Sequence, residues 1–492
     1  MMSGRHIQGV VTVVLLSLLL ASCRDDEGEE ALLPIAQKAL TDTASVYYIG
    51  ADRYPQDISG LPIGVLDCSV NGFEVVERLL TLDCFDNITG KPEPDGIIDF
   101  GGENIQFLSD RANGPYGGYI EVGSLDFLKE QVLSNTIFLM SDDYFNLAGD
   151  EYRSGFKEPV KMIIVSSPVA DLRVLPDINN FLEQSGTGVK AIGVVEAGIQ
   201  EAVSDVDEDG NLCVGVLFAP DGVSSIEYES MIRKSVGNTG GKVQVLNQEA
   251  VGLDAAIKGD TAYVDTTAVV ARDSYAGPVA GVSYNNIDMS LFDRYGFDTQ
   301  DNALLYVRKG DLSGVQLNSV ENYARFHLVS MIERHRRSGS RVPISSIILA
   351  DGSYAQIRDI LEEVMDELYN YRRGGIYLYR SVISPDFRFI DPAECAAAEA
   401  YKVLRNDRNL ALRGELTRLE SFITMPSASL PEDALNPDGT MKDDYKYGRQ
   451  CGSEDLTTKV VPFAPRYVTP EIMNYIERNN SEVYSLIRNY LY

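Results

Sequence analysis

The stretch Pro62-Ile63-Gly64-Val65-Leu66-Asp67-Cys68-Ser69-Val70-Asn71-Gly72-Phe73 sets the pattern of this chain. It opens with apolar and small residues, which is typical of a strand that is covered on both faces. A short polar loop follows, and the apolar spacing from Phe73 to Leu80 predicts a helix. Strand, polar loop and helix in this order are the repeating unit of an α/β fold with a mostly parallel sheet.

The same alternation continues along the chain. We predict strands at Ser45 to Gly50, Pro62 to Leu66, Gly96 to Phe100, Thr136 to Leu139, Val160 to Val165, Lys190 to Val195, Asn211 to Leu217 and Ile344 to Leu349. Helices are predicted at Phe73 to Leu80, Ser225 to Val236, Glu321 to Arg337 and Tyr354 to Tyr371. Beyond Leu404 we expect a loop over 425–451 and a last helix within 470–490.

Composition excludes several classes of function. With 43 Lys and Arg against 73 Asp and Glu, the net charge is −30, which repels nucleic acid. The cysteines after residue 23 are scattered and odd in number, so they define neither a disulfide framework nor a zinc site. His327 and His335 fall in a predicted helix with a basic end, and we expect both on the surface. We therefore expect no metal, no cofactor and no histidine-based triad.

The N-terminus has the features of an export signal. Arg5 and His6 precede an apolar run from Val10 to Ala21, which is too short to span a bilayer comfortably. The residues Leu20-Ala21-Ser22-Cys23 resemble the lipobox of bacterial lipoproteins, in which the cysteine is acylated and becomes the new N-terminus. The resemblance implies a signal peptide at 1–22, lipidation of Cys23 and a membrane anchor. An ordinary cleavage site with a chance cysteine is the alternative.

The residues after Cys23 are acidic. Arg24 to Glu30 resembles the export tag of Bacteroidetes lipoproteins that reach the cell surface, and residues 23–43 would form a tether. The resemblance implies an outer-membrane lipoprotein of the cell envelope. A plain solvated tether without surface display is the alternative reading of the same charges.

Six stretches, taken in order, resemble the motif series of the glutamate racemases and the wider aspartate/glutamate racemase superfamily. They are Pro62 to Phe73, Ile97 to Gly101 with Pro115-Tyr116-Gly117, Val160 to Asp171, Val189 to Val203 with Val214 to Tyr228, Ile344 to Ile357, and Phe389 to Leu404. Single apolar strands followed by small residues are common in α/β proteins, whereas six in the correct order are much stronger evidence.

The resemblance implies two pseudo-symmetric α/β lobes that face each other across a ligand cleft. Lobe 1 would span 44–188 with a return at 373–404, and lobe 2 would span 189–372 with an insertion at about 259–319. The C-terminal extension, 405–492, has no counterpart in the family. In open parallel sheets, ligands bind at the carboxyl ends of the strands, which agrees with a cleft between the lobes.

The resemblance also locates the chemistry. The family racemises amino acids without a cofactor, using two cysteines as acid and base on opposite faces of the α-carbon. Ser167 stands at the first cysteine position and Asp351 at the second. A serine needs an adjacent base, and a carboxylate of ordinary pKa is a weak base for a carbon-bound proton. We therefore expect the site to be catalytically degenerate for racemisation.

Several other polar residues fall in the quoted motifs. The candidate ligand-binding residues are Asp67, Cys68, Tyr116, Glu196, Ser225 and Ser353. Asp67 and Glu196 could orient an ammonium group, or only hold loops through backbone hydrogen bonds. Cys68 could be a reactive thiol, or a small buried apolar residue.

Three classes of function stay open from the sequence. The first is a lipid-anchored binding protein that keeps the cleft for an amino acid or a cell-wall fragment. The second is an isomerase-type enzyme with altered acid and base residues, drawn from Ser167, Asp351 and Cys68. The third is a protein-interaction scaffold that uses the insertion and the C-terminal extension.

Overall fold

The computed structural model describes residues 31–220, 225–237, 240–281, 285–299, 303–308, 311–411, 417–452 and 457–488. The predicted signal peptide and Cys23 lie outside these ranges. The strands are β1 Ile63–Asp67, β2 Ile105–Ser109, β3 Asp143–Tyr144, β4 Gly155–Phe156, β5 Met162–Val165, β6 Lys190–Gly193, β7 Leu212–Phe218, β8 Val243–Glu249, β9 Ala303–Arg308, β10 Asp311–Leu317, β11 Ile344–Leu349, β12 Arg372–Arg373, β13 Ile376–Tyr377, β14 Ile383–Ile390, β15 Leu419–Pro426 and β16 Thr458–Pro462.

The α-helices are α1 Pro34–Thr41, α2 Phe73–Thr81, α3 Gly117–Glu121, α4 Leu125–Met140, α5 Pro168–Ser185, α6 Val194–Val203, α7 Ser225–Val236, α8 Leu253–Lys258, α9 Phe292–Tyr295, α10 Val320–Ser338, α11 Arg358–Asn370, α12 Pro392–Asn406, α13 Asp443–Gly448, α14 Pro470–Asn479 and α15 Ser481–Ile487. Short 3-10 helices lie at Ala51–Arg53, Met289–Leu291, Gly352–Ile357, Glu432–Ala434 and Pro465–Tyr467. No helix in the described ranges is both long enough and apolar enough to cross a membrane.

Two parallel sheets form the centres of two lobes, as predicted. The first sheet has the strand order β16-β15-β2-β1-β5-β6, and the second has the order β14-β11-β7-β8. Every pairing within them is parallel except that of β15 with β16. β1, β5 and most of β7 and β11 are buried, as continuous apolar strands should be when helices cover both faces.

The chain crosses between the lobes in helices α6 and α12, which pack on each other. The observed lobe boundaries differ from the predicted ones. Strand β6 lies in the range that the prediction assigns to the second lobe, but it pairs with β5 of the first sheet. Similarly, β14 lies in the predicted return to the first lobe but pairs with β11 of the second sheet. The C-terminal extension adds β15 and β16 to the first sheet.

Three predicted strands are wrong. Residues 45–50 and 96–100 are turns and loops. The start of the loop at residues 96–100 is held by the Asp83 carboxylate, which accepts the backbone N–H groups of Asp95 and Gly96. Residues 136–139 lie in α4, a helix whose last turns are buried on every side, so its sequence has the continuous apolar run of a buried strand.

The expected surface positions of the two helical histidines are also wrong. His327 and His335 are both buried on α10. One nitrogen of His327 meets the Gln248 amide at 3.2 Å, and His335 Nε2 meets the Val342 carbonyl at 2.8 Å. Burial lowers the pKa of His327 to about 3, so this ring is neutral and serves the core of the second lobe.

Helix starts at the carboxyl ends of the strands explain how the site is built. Ser167 and Asp391 each occupy the position before a helix whose first residue is proline. Proline suits that position because its missing N–H is not needed there. Asp391 also accepts the backbone N–H of Ala393 at 2.9 Å. These turns bring polar side chains to the edge where the two sheets meet.

Candidate functional site

A cavity of about 130 Å³ lies between the carboxyl ends of the two sheets. Strand ends from both lobes contribute to it, which is the expected place for a ligand of parallel sheets. Its polar lining residues are Asp67, Ser69, Asn71, Glu74, Ser166, Tyr228, Asp351 and Asp391. The cavity is smaller than the roughly 300–1,000 Å³ that is usual for ligand pockets.

Asp67 ends β1 and brings a carboxyl group into the cavity from the first lobe. Its Oδ1 accepts the backbone N–H of Ser69 at 2.7 Å and the Ser69 hydroxyl at 2.9 Å. Burial raises the pKa of Asp67 to about 6, against the hydrogen bonds from Ser69 and Ser166, and the charge of Asp351 adds to the rise. The two lobes therefore interact electrostatically through these two carboxyl groups.

Asp351 follows β11 and caps the 3-10 helix that begins at Gly352. Its Oδ1 accepts the backbone N–H of Ser353 at 2.9 Å and also the Ser353 hydroxyl. Burial raises the pKa of Asp351, whereas Lys258 of α8 and the Ser353 hydrogen bonds lower it. The predicted candidate Ser353 is buried and orients Asp351.

Ser167 differs from Asp351 in the direction of its side chain. It is 1% exposed, and its hydroxyl donates to the Cys68 sulfur at 3.7 Å. Its neighbours Ser166 and Pro168 line the cavity. Successive side chains of extended backbone point in opposite directions. The Ser166 side chain therefore faces the cavity, and the Ser167 side chain faces the protein wall beside Cys68.

Cys68 lines the cavity beside Asp67, and Tyr116 lies behind it. Burial raises the pKa of the Cys68 thiol, and the charge of Asp67 raises it further, so the thiol is protonated at neutral pH. Tyr116 is buried and donates its hydroxyl to Asp110 Oδ2 at 2.6 Å. The predicted candidate Tyr116 is thus held by Asp110 and does not line the cavity.

Glu196 and Ser225 do not meet the other candidates in the cavity. Glu196 is exposed on α6 and lines a separate groove between α6, β14 and α12. Ser225 begins α7, and it is Tyr228 of that helix which lines the cavity. The residue that contacts the start of α6 is instead the buried Asp171, which accepts the backbone N–H of Val195 at 2.6 Å. Burial raises the pKa of Asp171 to about 7.

Glu74 and Asp391 are site residues that the sequence reasoning missed. Glu74 is 6% exposed on α2, and burial raises its pKa to about 8. Asp391 accepts the Arg78 Nε–H at 2.9 Å. Asp391 could have been found from its place before Pro392, whereas Glu74 looks like an ordinary polar position of an amphipathic helix.

The cavity is consequently acidic. Four carboxyl groups face it, from Asp67, Glu74, Asp351 and Asp391. Glu74 is mostly protonated at neutral pH and Asp391 is paired with Arg78, so the negative charge comes from Asp67 and Asp351. Among the residues that the structure describes, no group of three or more His, Cys, Asp and Glu is arranged to hold a metal ion. The arrangement favours an ammonium group over a carboxylate.

Comparison with known proteins gives matches among solved structures. No protein-family model and no curated protein sequence matches the chain. Glutamate racemase isoform RacE1 from Bacillus anthracis is 17% identical, with a TM-score of 0.39, over 74% of this chain and 89% of that one. Glutamate racemase from Francisella tularensis in complex with D-glutamate is 15% identical, with a TM-score of 0.38, over 81% and 99%.

A third similar structure is glutamate racemase from Thermus thermophilus in complex with β-chloro-D-alanine, 14% identical, with a TM-score of 0.38, over 80% of this chain and 94% of that one. All three structures are glutamate racemases, the family whose motifs the sequence resembles.

Proposed function

We propose that the protein is an exported, lipid-anchored, racemase-like binding protein that does not racemise amino acids. In this proposal, the cavity between the lobes takes the ammonium group of an amino acid or a cell-wall fragment. The observation that carries it is the composition of the cavity. Carboxyl groups line it, while Ser167, at the first family cysteine position, points into the wall.

The absence of racemisation follows from the acid and base groups. A two-base mechanism needs one group on each face of the α-carbon. The Ser167 hydroxyl is directed to a protonated thiol, which cannot activate it as a base would. Cys68 itself is a poor base because burial raises its pKa.

The preference for an ammonium group follows from charge and size. The carboxylates of Asp67 and Asp351 enter this small cavity from opposite lobes, so they attract a cation and repel the two carboxylates of free glutamate. At about 130 Å³, the cavity accommodates the charged end of a ligand better than a large ligand in full. The rest of a cell-wall fragment would extend outward.

Export and anchoring rest on the residues before the described part of the chain. Acylation needs the thiol of Cys23, so Cys23→Ala should abolish labelling by an alkyne-tagged fatty acid in cells and release or mislocalise the protein. Cys68→Ala is the matched control, and it should keep the label. Undiminished labelling of Cys23→Ala would contradict the lipoprotein proposal.

A second candidate function is supported by the pKa values of two carboxyl groups. Asp67 and Asp351 come from opposite lobes, and burial raises the pKa of both, that of Asp67 to about 6. Carboxyl groups with raised pKa suit proton transfer near neutral pH. The alternative is therefore an isomerase-type enzyme that uses Asp67 and Asp351 where the family uses cysteines.

One pair of measurements on the mature protein distinguishes the two functions. Solvent deuterium exchange at the α-carbon of L- and D-glutamate and aspartate should be absent. Ethanolamine, an amine without a carboxylate, should raise the melting temperature, whereas glutamate should not. Exchange that disappears in Asp351→Asn would establish the isomerase, and equal stabilisation by glutamate would contradict the charge argument.

A further inference from the structure

The C-terminal helices α14 and α15 lie against the cavity wall. Ile476, Val483 and Ile487 are buried, and they belong to the same apolar core as α2. Helix α15 packs on α2 and on β15. The last described segment of the chain is therefore part of the packed first lobe, next to the helix that bears Glu74.

Hydrogen bonds fix this segment to the first lobe. The Glu77 carboxylate, on α2, accepts the backbone N–H of Glu482 at 3.1 Å and that of Val483 at 3.0 Å. Backbone N–H groups in the first turn of a helix have no partner within the helix, so Glu77 satisfies two of them. The junction of α14 and α15 is thereby held on α2.

The same segment also reaches the second lobe. Gln356, in the 3-10 helix that Asp351 caps, donates its amide N–H to the Tyr475 hydroxyl of α14 and to Glu74 of α2. The Tyr475 hydroxyl lies 3.4 Å from Glu74 Oε1. Three segments meet here, one from each lobe and one from the C-terminal extension.

Few hydrogen bonds join Gln356 to Tyr475 and Glu74, and they are shielded from solvent. Glu74 is 6% exposed and Tyr475 is 7% exposed, so water does not replace the hydrogen bonds while the lobes stay together. The other polar atom of the Gln356 amide, Oε1, has no hydrogen-bond partner within the described residues. Gln356 can leave Tyr475 and Glu74 without breaking a bond to a third group.

We propose that residues 470–487 form a latch that holds the two lobes closed over the cavity. Tyr475 keeps Gln356 against Glu74, and Gln356 keeps the loop of Asp351 in place. Release of Gln356 opens the wall between Glu74 and Gly352, both of which line the cavity. The latch controls access whether the cavity binds a ligand or transfers a proton.

Tyr475→Phe tests the latch, because it removes the hydroxyl and keeps the ring. In the full mature chain, amide hydrogen exchange of residues 352–357 should become at least threefold faster, while that of β1 and β5 stays unchanged. Tyr484→Phe is the matched control. The Tyr484 ring packs on the same core, and its hydroxyl has no hydrogen-bond partner among the described residues. This variant should exchange like the wild type.

Cys68 provides a second measurement, since its thiol lines the cavity. Labelling of Cys68 by a maleimide, followed by peptide mass spectrometry, should be at least threefold faster in Tyr475→Phe than in the wild type or Tyr484→Phe. Gln356→Glu removes the amide N–H that is donated to Tyr475 and Glu74 and should open the cavity further. Unchanged exchange and labelling in both Tyr475→Phe and Gln356→Glu, with native circular dichroism, would overturn the latch.

Discussion

Ser167 follows β5 in the first lobe as Asp351 follows β11 in the second, and each residue precedes a helix. Asp351 lines the cavity and is oriented by Ser353. Ser167 is directed to Cys68 inside the wall. Two positions that correspond in sequence and topology thus have different environments, so correspondence of position does not establish correspondence of chemistry.

The first lobe supplies its charged group from another strand. Asp67, at the end of β1, brings a carboxyl group to the cavity, and its pKa responds to the charge of Asp351. The side chains that the two lobes bring to the cavity are therefore those of Asp67 and Asp351, and not those of Ser167 and Asp351. The difference teaches that the two lobes bring their carboxyl groups to the cavity from strand ends that do not correspond, β1 in the first lobe and β11 in the second.

The largest expected effect is on binding at Asp351. We expect Asp351→Asn to weaken ethanolamine binding at least tenfold, about 1.4 kcal/mol, because it removes a half-buried charge and keeps the side-chain shape. Ser167→Ala, the matched variant in the other lobe, should change the affinity by less than about twofold, since a group in the wall adds little to binding. Isothermal titration of both variants measures the difference. Equal losses would mean that the two positions act alike after all.

A smaller effect concerns the pH dependence of stability at Asp67. Burial raises its pKa in the folded protein to about 6, above the ordinary value of about 3.9. The folded state therefore binds more protons than the unfolded state between these values. This contribution to the free energy of unfolding is fully present below about pH 4 and is lost as the pH rises through about 6.

Asp67→Asn should remove that dependence. The shift of about two units corresponds to about 1–3 kcal/mol between pH 4 and pH 7. Urea denaturation at these two pH values should show a smaller loss of stability in Asp67→Asn than in the wild type. Glu196→Gln, an exposed position outside the cavity, is the control. An identical pH dependence in wild type and Asp67→Asn would show that Asp67 is not a buried ionisable group.

The strands that were predicted correctly from the sequence are those that local residue patterns determine. β1, β5, β7 and β11 have continuous apolar runs, and their ends carry the polar residues that meet at the cavity. The strand prediction at residues 136–139 is wrong because a helix that is buried on all sides has the same continuous apolar run. The addition of β15 to β2 joins residues about three hundred positions apart, and no local pattern specifies such a partner.

The same limit applies to the site. Asp67 and Asp351 were predicted because each ends an apolar run within a recognised motif. Glu74 and Tyr475 lie on helices, where a single polar or aromatic residue does not reveal which face meets the cleft. Their role depends on how α2, α14 and the 3-10 helix of Gln356 pack together, and that packing is a property of the whole fold.

The smallest expected effect comes from restoring both thiols. Ser167→Cys with Asp351→Cys returns a cysteine to each family position, yet we expect no solvent deuterium exchange at the α-carbon of glutamate. The residue 167 side chain occupies the wall beside Cys68, so a thiol there does not face the α-carbon. Groups of a catalytic site that act as a unit leave little activity when one of them is misplaced. Ser166→Cys with Asp351→Cys is the comparison, because residue 166 lines the cavity. Racemisation by the 167 variant alone would show that the two lobes are equivalent and that the wall position of Ser167 does not limit the chemistry.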